Sequence, residues 1–280
     1  MAYNEIDRRG TEDFPFAFYH LDKNHLRYTM AAHWHSELEL VRILKGEFHI
    51  TLNNKLYIAK KGDIIFVNSE TVHQGTPFSC EYECIVFHAD YLYQNQFDSH
   101  SFIKNVLEGE CTINEFFPAS DGEINKSLNN IFNELYMDTP TKKFKVISLF
   151  YNFFALIYDN NLYAYKIGNN IKSSDKNIVI LKKILSYLSE NYDKPITLES
   201  ISSVVMRSPR YIGCFFKNMT SKTPIEYLNE YRIEKASHLL LSTDISVTNI
   251  AYSCGFSDLS YFIKTFKKKM GVSPGKYRNS

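Results

Sequence analysis

His33, His35 and Glu39 fall within seven residues and share one parity. On an extended strand, side chains of equal parity point to one face, so these three donors would converge. Joined by His73 from a neighbouring strand, they would make a three-histidine, one-glutamate site for a transition metal. The same groups could instead line a polar pocket that hydrogen-bonds a small molecule, or bond one another as part of the framework. The surrounding region is rich in aromatics, among them Phe14, Phe16, Phe18, Tyr19, Tyr28 and the single tryptophan, Trp34. Aromatic faces beside His, Glu and Arg suit stacking on a sugar, although aromatics at strand spacing also serve as core. Trp34 has the opposite parity to both histidines. No nucleophile or acid–base constellation accompanies the cluster. The reading adopted is effector binding by His33, His35, Glu39, His73, Trp34 and Tyr28, without a metal or other cofactor. A metal-dependent enzyme is the alternative.

A second chemistry lies in the charge distribution. The formal net charge of +1 divides into −7 over residues 1–175 and +8 over residues 176–280. A basic half is expected to meet a polyanion. The stretch Ile250-Ala251-Tyr252-Ser253-Cys254-Gly255-Phe256-Ser257 follows helix-turn-helix grammar. Ala251 allows close helix approach, Gly255 takes the left-handed turn, and Ser257 is expected to cap a helix from Asp258 to about Met270. Ile201 to Ser208-Pro209-Arg210-Tyr211 repeats the outline, with a second helix running to about Met219. Between them, Thr223-Pro224-Ile225-Glu226 reads as a capping box with proline first, and Ser208-Pro209 and Ser273-Pro274 reuse the serine-cap device. The helix from Pro224 to about Leu241 would be roughly 26 Å long. Such a spacer suits two recognition helices about 34 Å apart, one turn of DNA.

The elements that carry the first cluster read as strands. Leu38–Leu44, Glu47–Leu52 and Tyr82–Phe87 have strand character, and Asn53-Asn54, Lys61-Gly62-Asp63 and Gly75-Thr76-Pro77 read as turns. Short strands at this spacing imply a small antiparallel barrel or sandwich. Two amphipathic helices follow, with Ile124, Leu128, Ile131, Phe132 and Leu135 on one and Phe144, Ile147, Phe150, Phe154 and Ile157 on the other, broken at Thr139-Pro140. They are expected to cover the barrel, and part of their apolar surface could form a dimer seam. The expected organisation is an α+β two-domain chain. A β-barrel with flanking helices spans 1–165, a linker 166–176, and an all-α domain with two helix-turn-helix units 177–280.

Composition excludes other classes. Hydrophobic residues are 44% and charged residues 22%, an ordinary globular balance. Five cysteines without metal-type pairs fit reduced thiols better than a disulfide framework. The opening residues lack the apolar stretch of a signal peptide, and no 18-residue apolar run occurs, so a cytoplasmic protein away from membranes is expected.

The stretch PIEYLNEYRIEKASHLLLSTDISVTNIAYSCGFSDLSYFIKTFKKKMGVSPGKYR resembles the DNA-binding domain of the AraC/XylS family of transcription regulators, a likeness that covers residues 177–279. The family spacing is carried by Tyr231-Arg232-Ile233, Ile250-Ala251, Gly255-Phe256, Tyr261-Phe262, Phe266-Lys267 and Ser273-Pro274 with Tyr277-Arg278. The resemblance implies that each second helix enters a major groove of double-stranded DNA. It places Arg210, Gly213 and Cys214 at base edges in the first unit, and Leu259, Ser260, Ile263 and Lys264 in the second. Arg210, Lys217, Lys264, Lys267 and Lys268 would serve phosphates or guanine. Gly213 and Cys214 stand where base-reading donors are usual, and Met206 and Arg207 where a turn residue and a buried apolar one are usual. The second unit is therefore expected to read more sequence than the first. Tyr211, Phe215, Phe216, Phe262 and Phe266 are expected in the core. The His33/His35/Glu39 spacing, with Gly46, Gly62-Asp63 and His73, resembles the cupin barrel pattern, with Asn68 and Glu70 departing from it. The resemblance implies a homodimeric regulator, an activator working with RNA polymerase, whose effector is a mono- or disaccharide. A regulator of stress or virulence genes is the alternative within the family.

Overall fold

A computed structural model describes residues 14–25, 27–89, 92, 99–166 and 173–279. The chain divides into two compact units, residues 4–171 and 172–280. The six residues 167–172 of the expected linker lie outside the described residues.

Two long strands organise the first unit. β3 (Leu38–Leu52) and β6 (His73–Phe87) pair antiparallel along their lengths, with register shifts between Ile43 and Glu47. On one flank of β3 lie β5 (Ile64–Val67) and β4 (Lys55–Lys60). On the outer flank of β6 lie β1 (Phe16–Leu21) and β2 (Met30–His33). The short β8 (Phe116–Phe117) extends β5, and β7 (Cys111–Ile113) pairs with β9 (Tyr163–Tyr165) in a small separate sheet. Alternation decides what each face meets. Val41, Ile43, Ile50, Leu52, Ile65, Val67, Tyr82 and Cys84 form one apolar cluster inside the barrel. Leu38, Leu40, Ile64, Phe66, Ile85 and Phe87 form another, against the helices.

Gly75-Thr76-Pro77 is not a turn; it runs inside β6. Gly75 is required by a neighbour, because a Cβ there would lie 2.2 Å from the Phe48 ring. The helices α1 (Ser99–Leu107), α2 (Gly122–Tyr136) and α3 (Lys142–Asp159) cover the sheet. All five expected apolar positions of α2 are buried. On α3 the buried face is Val146, Phe150, Phe153, Phe154 and Ile157, whereas Phe144 is 77% exposed. Phe144 lies two residues short of Val146, about 160° off the buried stripe.

The second unit is helical: α4 (Ser173–Glu190), α5 (Leu198–Val205), α6 (Pro209–Thr220), α7 (Pro224–Ser242), α8 (Val247–Ser253), α9 (Leu259–Met270) and α10 (Pro274–Arg278). α4 begins four residues earlier than the expected domain start. α7 packs against α4, α6, α8, α9 and α10, so it buries residues around its circumference, including Tyr227, Ile233, Ala236 and Leu240. The Thr223/Glu226 capping box is present. The α9 cap is Asp258 rather than Ser257, its carboxylate accepting from the Tyr261 N–H, and Ser273 makes no side-chain cap bond. All five cysteines are free thiols. No described helix is long and apolar enough to cross a membrane.

Candidate effector and DNA-binding sites

His33 is the last residue of β2 and faces His73, the first residue of β6, across the ladder. His35 belongs to the connection after β2, and Glu39 is the second residue of β3. The convergence therefore does not come from shared parity on one strand. Three separate backbone segments bring one donor atom from each of the four residues to within 4.8 Å of one another. Glu39 Oε2 lies 3.1 Å from His35 Nε2 and 3.1 Å from His73 Nε2. The outer nitrogens are fixed by backbone carbonyls. His33 Nδ1 donates to Ala31 O at 2.8 Å, His35 Nδ1 to Glu37 O at 3.1 Å, and His73 Nδ1 to Thr71 O at 2.8 Å.

Burial and the neighbouring His73 and His35 hold His33 well below the usual histidine range. Burial works against the charge of Glu39, but the bonds to His35 and His73 overcome it and hold the carboxyl well below its usual range. Two expected effector residues stand apart from this cluster. The Tyr28 hydroxyl donates to Cys80 O at 2.9 Å and accepts from Cys80 N at 3.1 Å, so it closes the barrel wall. Trp34 is buried, only 9% exposed, between the two histidines in sequence and outside the donor cluster.

The sequence reading missed a second buried polar group on the sheet face toward α2. Arg42 pairs with Glu83 through Nε at 2.9 Å and NH2 at 2.6 Å, and its NH1 donates to Asn129 and Asn133. The signal available was an arginine in Leu38–Leu44 and a glutamate in Tyr82–Phe87, strand segments that are otherwise mostly apolar.

In the second unit, Ser208 caps α6 and Pro209 takes its first position. Ile212, Phe215, Phe216 and Thr220 turn inward, which leaves Arg210, Cys214 and Lys217 exposed and Gly213 half-buried on the opposite side. Tyr211 is exposed rather than core, its ring stacked on Phe215. The turn before α6 runs through Met206, which is left-handed (φ 52°) and 87% exposed. On α9, Phe262 and Phe266 are buried while Ser260, Ile263, Lys264, Lys267 and Lys268 are exposed. Leu259 packs partly onto the core. The next lysine, Lys269, is held at 2.8 Å by Glu230 of α7, which also holds Lys222 at 2.7 Å. Arg232 of α7 ties that helix to the connection between α4 and α5: its Nε donates to Tyr192 O and its NH2 to Lys194 O, both at 2.7 Å.

Comparison with known proteins agrees with this division. An AraC-like ligand binding domain matches residues 15–154, and a helix-turn-helix domain matches residues 201–280. The uncharacterized HTH-type transcriptional regulator YdeC of Bacillus subtilis is 27% identical over 98% of this chain and 95% of its own. The HTH-type transcriptional activator RhaS of Enterobacter sp. (strain 638) is 34% identical over 39% of each chain. Among solved structures, apo ToxT of Vibrio cholerae covers 97% of this chain and 99% of its own, at 16% identity and a TM-score of 0.46. These matched domains and relatives are those of transcription regulators, not enzymes. With a matched ligand-binding domain over half its length and helix-turn-helix units beyond, this chain belongs to the AraC family of DNA-binding transcription regulators.

Proposed function

We propose that this regulator activates transcription as a cytoplasmic homodimer, with RNA polymerase as its partner at the promoter. Its effector is a hydroxyl-rich small molecule, a mono- or disaccharide, taken up at His33, His35, Glu39 and His73. The observation that carries this reading is a buried imidazole–carboxylate cluster beside a barrel interior otherwise packed with apolar side chains. Their mutual bonds offset the cost of burial, and a ligand bonded at the half-buried His33 and its neighbours accounts for four such groups at one place. Imidazole and carboxylate are suited to hydroxyls, and the relatives named as activators support the direction of control. Coupling requires that the effector favour one arrangement of the two units over another.

Thermal melting of the full chain against a panel of mono- and disaccharides tests the effector. A ligand at 100 times its Kd should stabilise the folded state by about 2.7 kcal/mol. His33→Ala with Glu39→Ala should remove the shift while DNA binding persists. A shift that survives the double substitution would place the effector elsewhere.

For DNA, the exposed faces of α6 and α9 supply the recognition surfaces. Arg210 and Lys217 on the first, and Ser260, Ile263, Lys264, Lys267 and Lys268 on the second, carry the chemistry. Gly213 and Cys214 offer little to a base edge, and Leu259 is partly taken up by packing. Lys264→Ala is expected to weaken specific binding on the order of tenfold or more, as loss of a guanine or phosphate contact does. Cys214→Ala should change it by less than about threefold. Fluorescence anisotropy on one promoter fragment at fixed salt compares them. Equal losses would overturn the unequal weighting of the two units.

A further inference from the structure

α7 joins the two helix-turn-helix units, and its length fixes only how far apart they stand along its axis. How each unit is turned about that axis depends on what holds its second helix to α7. On α9 the apolar anchors are Phe262 and Phe266, which share a cluster with Ile233, Ala236 and Leu240 of α7. Two polar contacts flank them. At the first turn of α9, the Tyr261 hydroxyl accepts from Asn229 Nδ2 at 2.9 Å. At its last turn, Lys269 Nζ donates to Glu230 Oε2 at 2.8 Å. The two anchor points lie roughly 12 Å apart along α9. The same oxygen, Glu230 Oε2, also accepts from Lys222 Nζ at 2.7 Å. Lys222 belongs to the short connection from α6 to α7, which Thr220 closes by donating its hydroxyl to Lys222 O at 3.1 Å. One carboxylate oxygen therefore ties the ends of both α6 and α9 to α7. Burial works against the charge of Glu230, but the bonds to Lys222 and Lys269 overcome it and hold the carboxyl below its usual range. Exposed ion pairs contribute little to stability. Here the consequence is geometric. Without the carboxylate, two ammonium groups that converge on one point repel, and the end of α9 is pushed from the α6–α7 connection.

We propose that Glu230 is the positioning residue that sets α9 relative to α6, and so fixes the separation of the two DNA segments that the protein accepts. The proposal rests on the reading of α6 and α9 as the recognition helices given above. One base pair more or less moves the second segment by about 3.4 Å and turns it by about a tenth of a turn. A helix held at both ends, with its far end tied to the neighbouring unit, resists that displacement. Glutamine keeps the shape of Glu230 and loses its charge. It removes the tie while leaving the apolar seat of Phe262 and Phe266 in place. Lys222 and Lys269 are not among the residues assigned to DNA contact, so a change in accepted spacing would come through placement rather than through a lost contact.

The test uses the full chain to select a duplex from a random pool, and hydroxyl-radical footprinting locates the segments it contacts. Two further duplexes have one base pair inserted or removed between those segments. Fluorescence anisotropy at fixed salt compares the three. The parent is expected to bind both altered duplexes about 10–100-fold more weakly, as loss of base contacts by one helix implies. In Glu230→Gln that ratio should shrink on the order of tenfold. Glu230→Asp, which keeps the charge, should retain most of it. An unchanged far-ultraviolet spectrum would show that the variants are folded. A ratio in Glu230→Gln equal to that of the parent overturns the proposal. So does a uniform change on all three duplexes. Uniform weakening would assign Glu230 to stability alone. Uniform tightening, with a salt slope steeper by up to about 1.8, would mean that it only withholds two lysines from phosphates. A footprint with a single contacted segment would remove the two-helix reading and the proposal with it. Two segments with unaltered ratios would remove the proposal and leave that reading intact.

Discussion

Gly255→Ala should destabilise the DNA-binding unit by about 3–5 kcal/mol and with it abolish promoter binding near physiological temperature. Gly255 is left-handed (φ 83°), and a Cβ there would lie 2.3 Å from Tyr192 O and 2.8 Å from Arg232 NH2. The backbone term alone is about 1–3 kcal/mol. Moving Arg232 aside adds about 1.5–3 kcal/mol for the loss of one of its two charge-assisted bonds, to Tyr192 O and Lys194 O. That total is a large part of the 5–15 kcal/mol typical of a folded domain. Gly213→Ala is the control, because nothing lies within 4 Å of a Cβ at that helical position. It should be neutral or stabilise by up to about 1 kcal/mol. Urea denaturation followed by intrinsic fluorescence, with anisotropy for DNA binding, measures both. Equal midpoints for the two variants would show that the turn tolerates a side chain.

Glu83→Ala is expected to cost the barrel unit about 3–5 kcal/mol, because it leaves the Arg42 guanidinium buried without its partner. Glu83 is fully buried and accepts from Arg42, from the Tyr136 hydroxyl and from His20. Burial and the bond to Glu83 push the Tyr136 hydroxyl up to about 12. Arg42 also lies 4.5 Å over the Phe132 ring and bonds Asn129 and Asn133, so the pair fastens the sheet to α2. Arg42→Met with Glu83→Leu should recover most of the loss, since two apolar side chains leave no orphaned charge. Thermal denaturation of Arg42→Met, Glu83→Leu and their combination closes the cycle. Additive losses would mean that the two residues do not stabilise each other.

Much of the DNA-binding unit was legible from local rules. The Thr223/Glu226 box, the Ser208-Pro209 start and the Gly255 turn are each settled within one helical turn, by a cap bond or a single dihedral. The buried stripe of α2 follows from helical period alone. The same local rules failed where a neighbour competed. Asp258 outcompeted Ser257 as the α9 cap, and Gly75-Thr76-Pro77 became strand because the ladder with β3 continues through it.

The candidate effector site shows the division most clearly. The residue types and spacing of His33, His35, Glu39 and His73 announced donor chemistry, and the paired domains announced a regulator. Tertiary structure alone decided that the four donors meet, through the register that sets His33 opposite His73 and the connection that turns His35 inward. It also decided that Tyr28 spends its hydroxyl on the barrel wall, that Glu230 claims Lys269, and that Arg42 finds Glu83. Caps, turns and helical faces depend on residues a few positions apart, whose types can be read in order. Pairings across 34 or 41 residues depend on strand register, which the packing of the whole barrel sets.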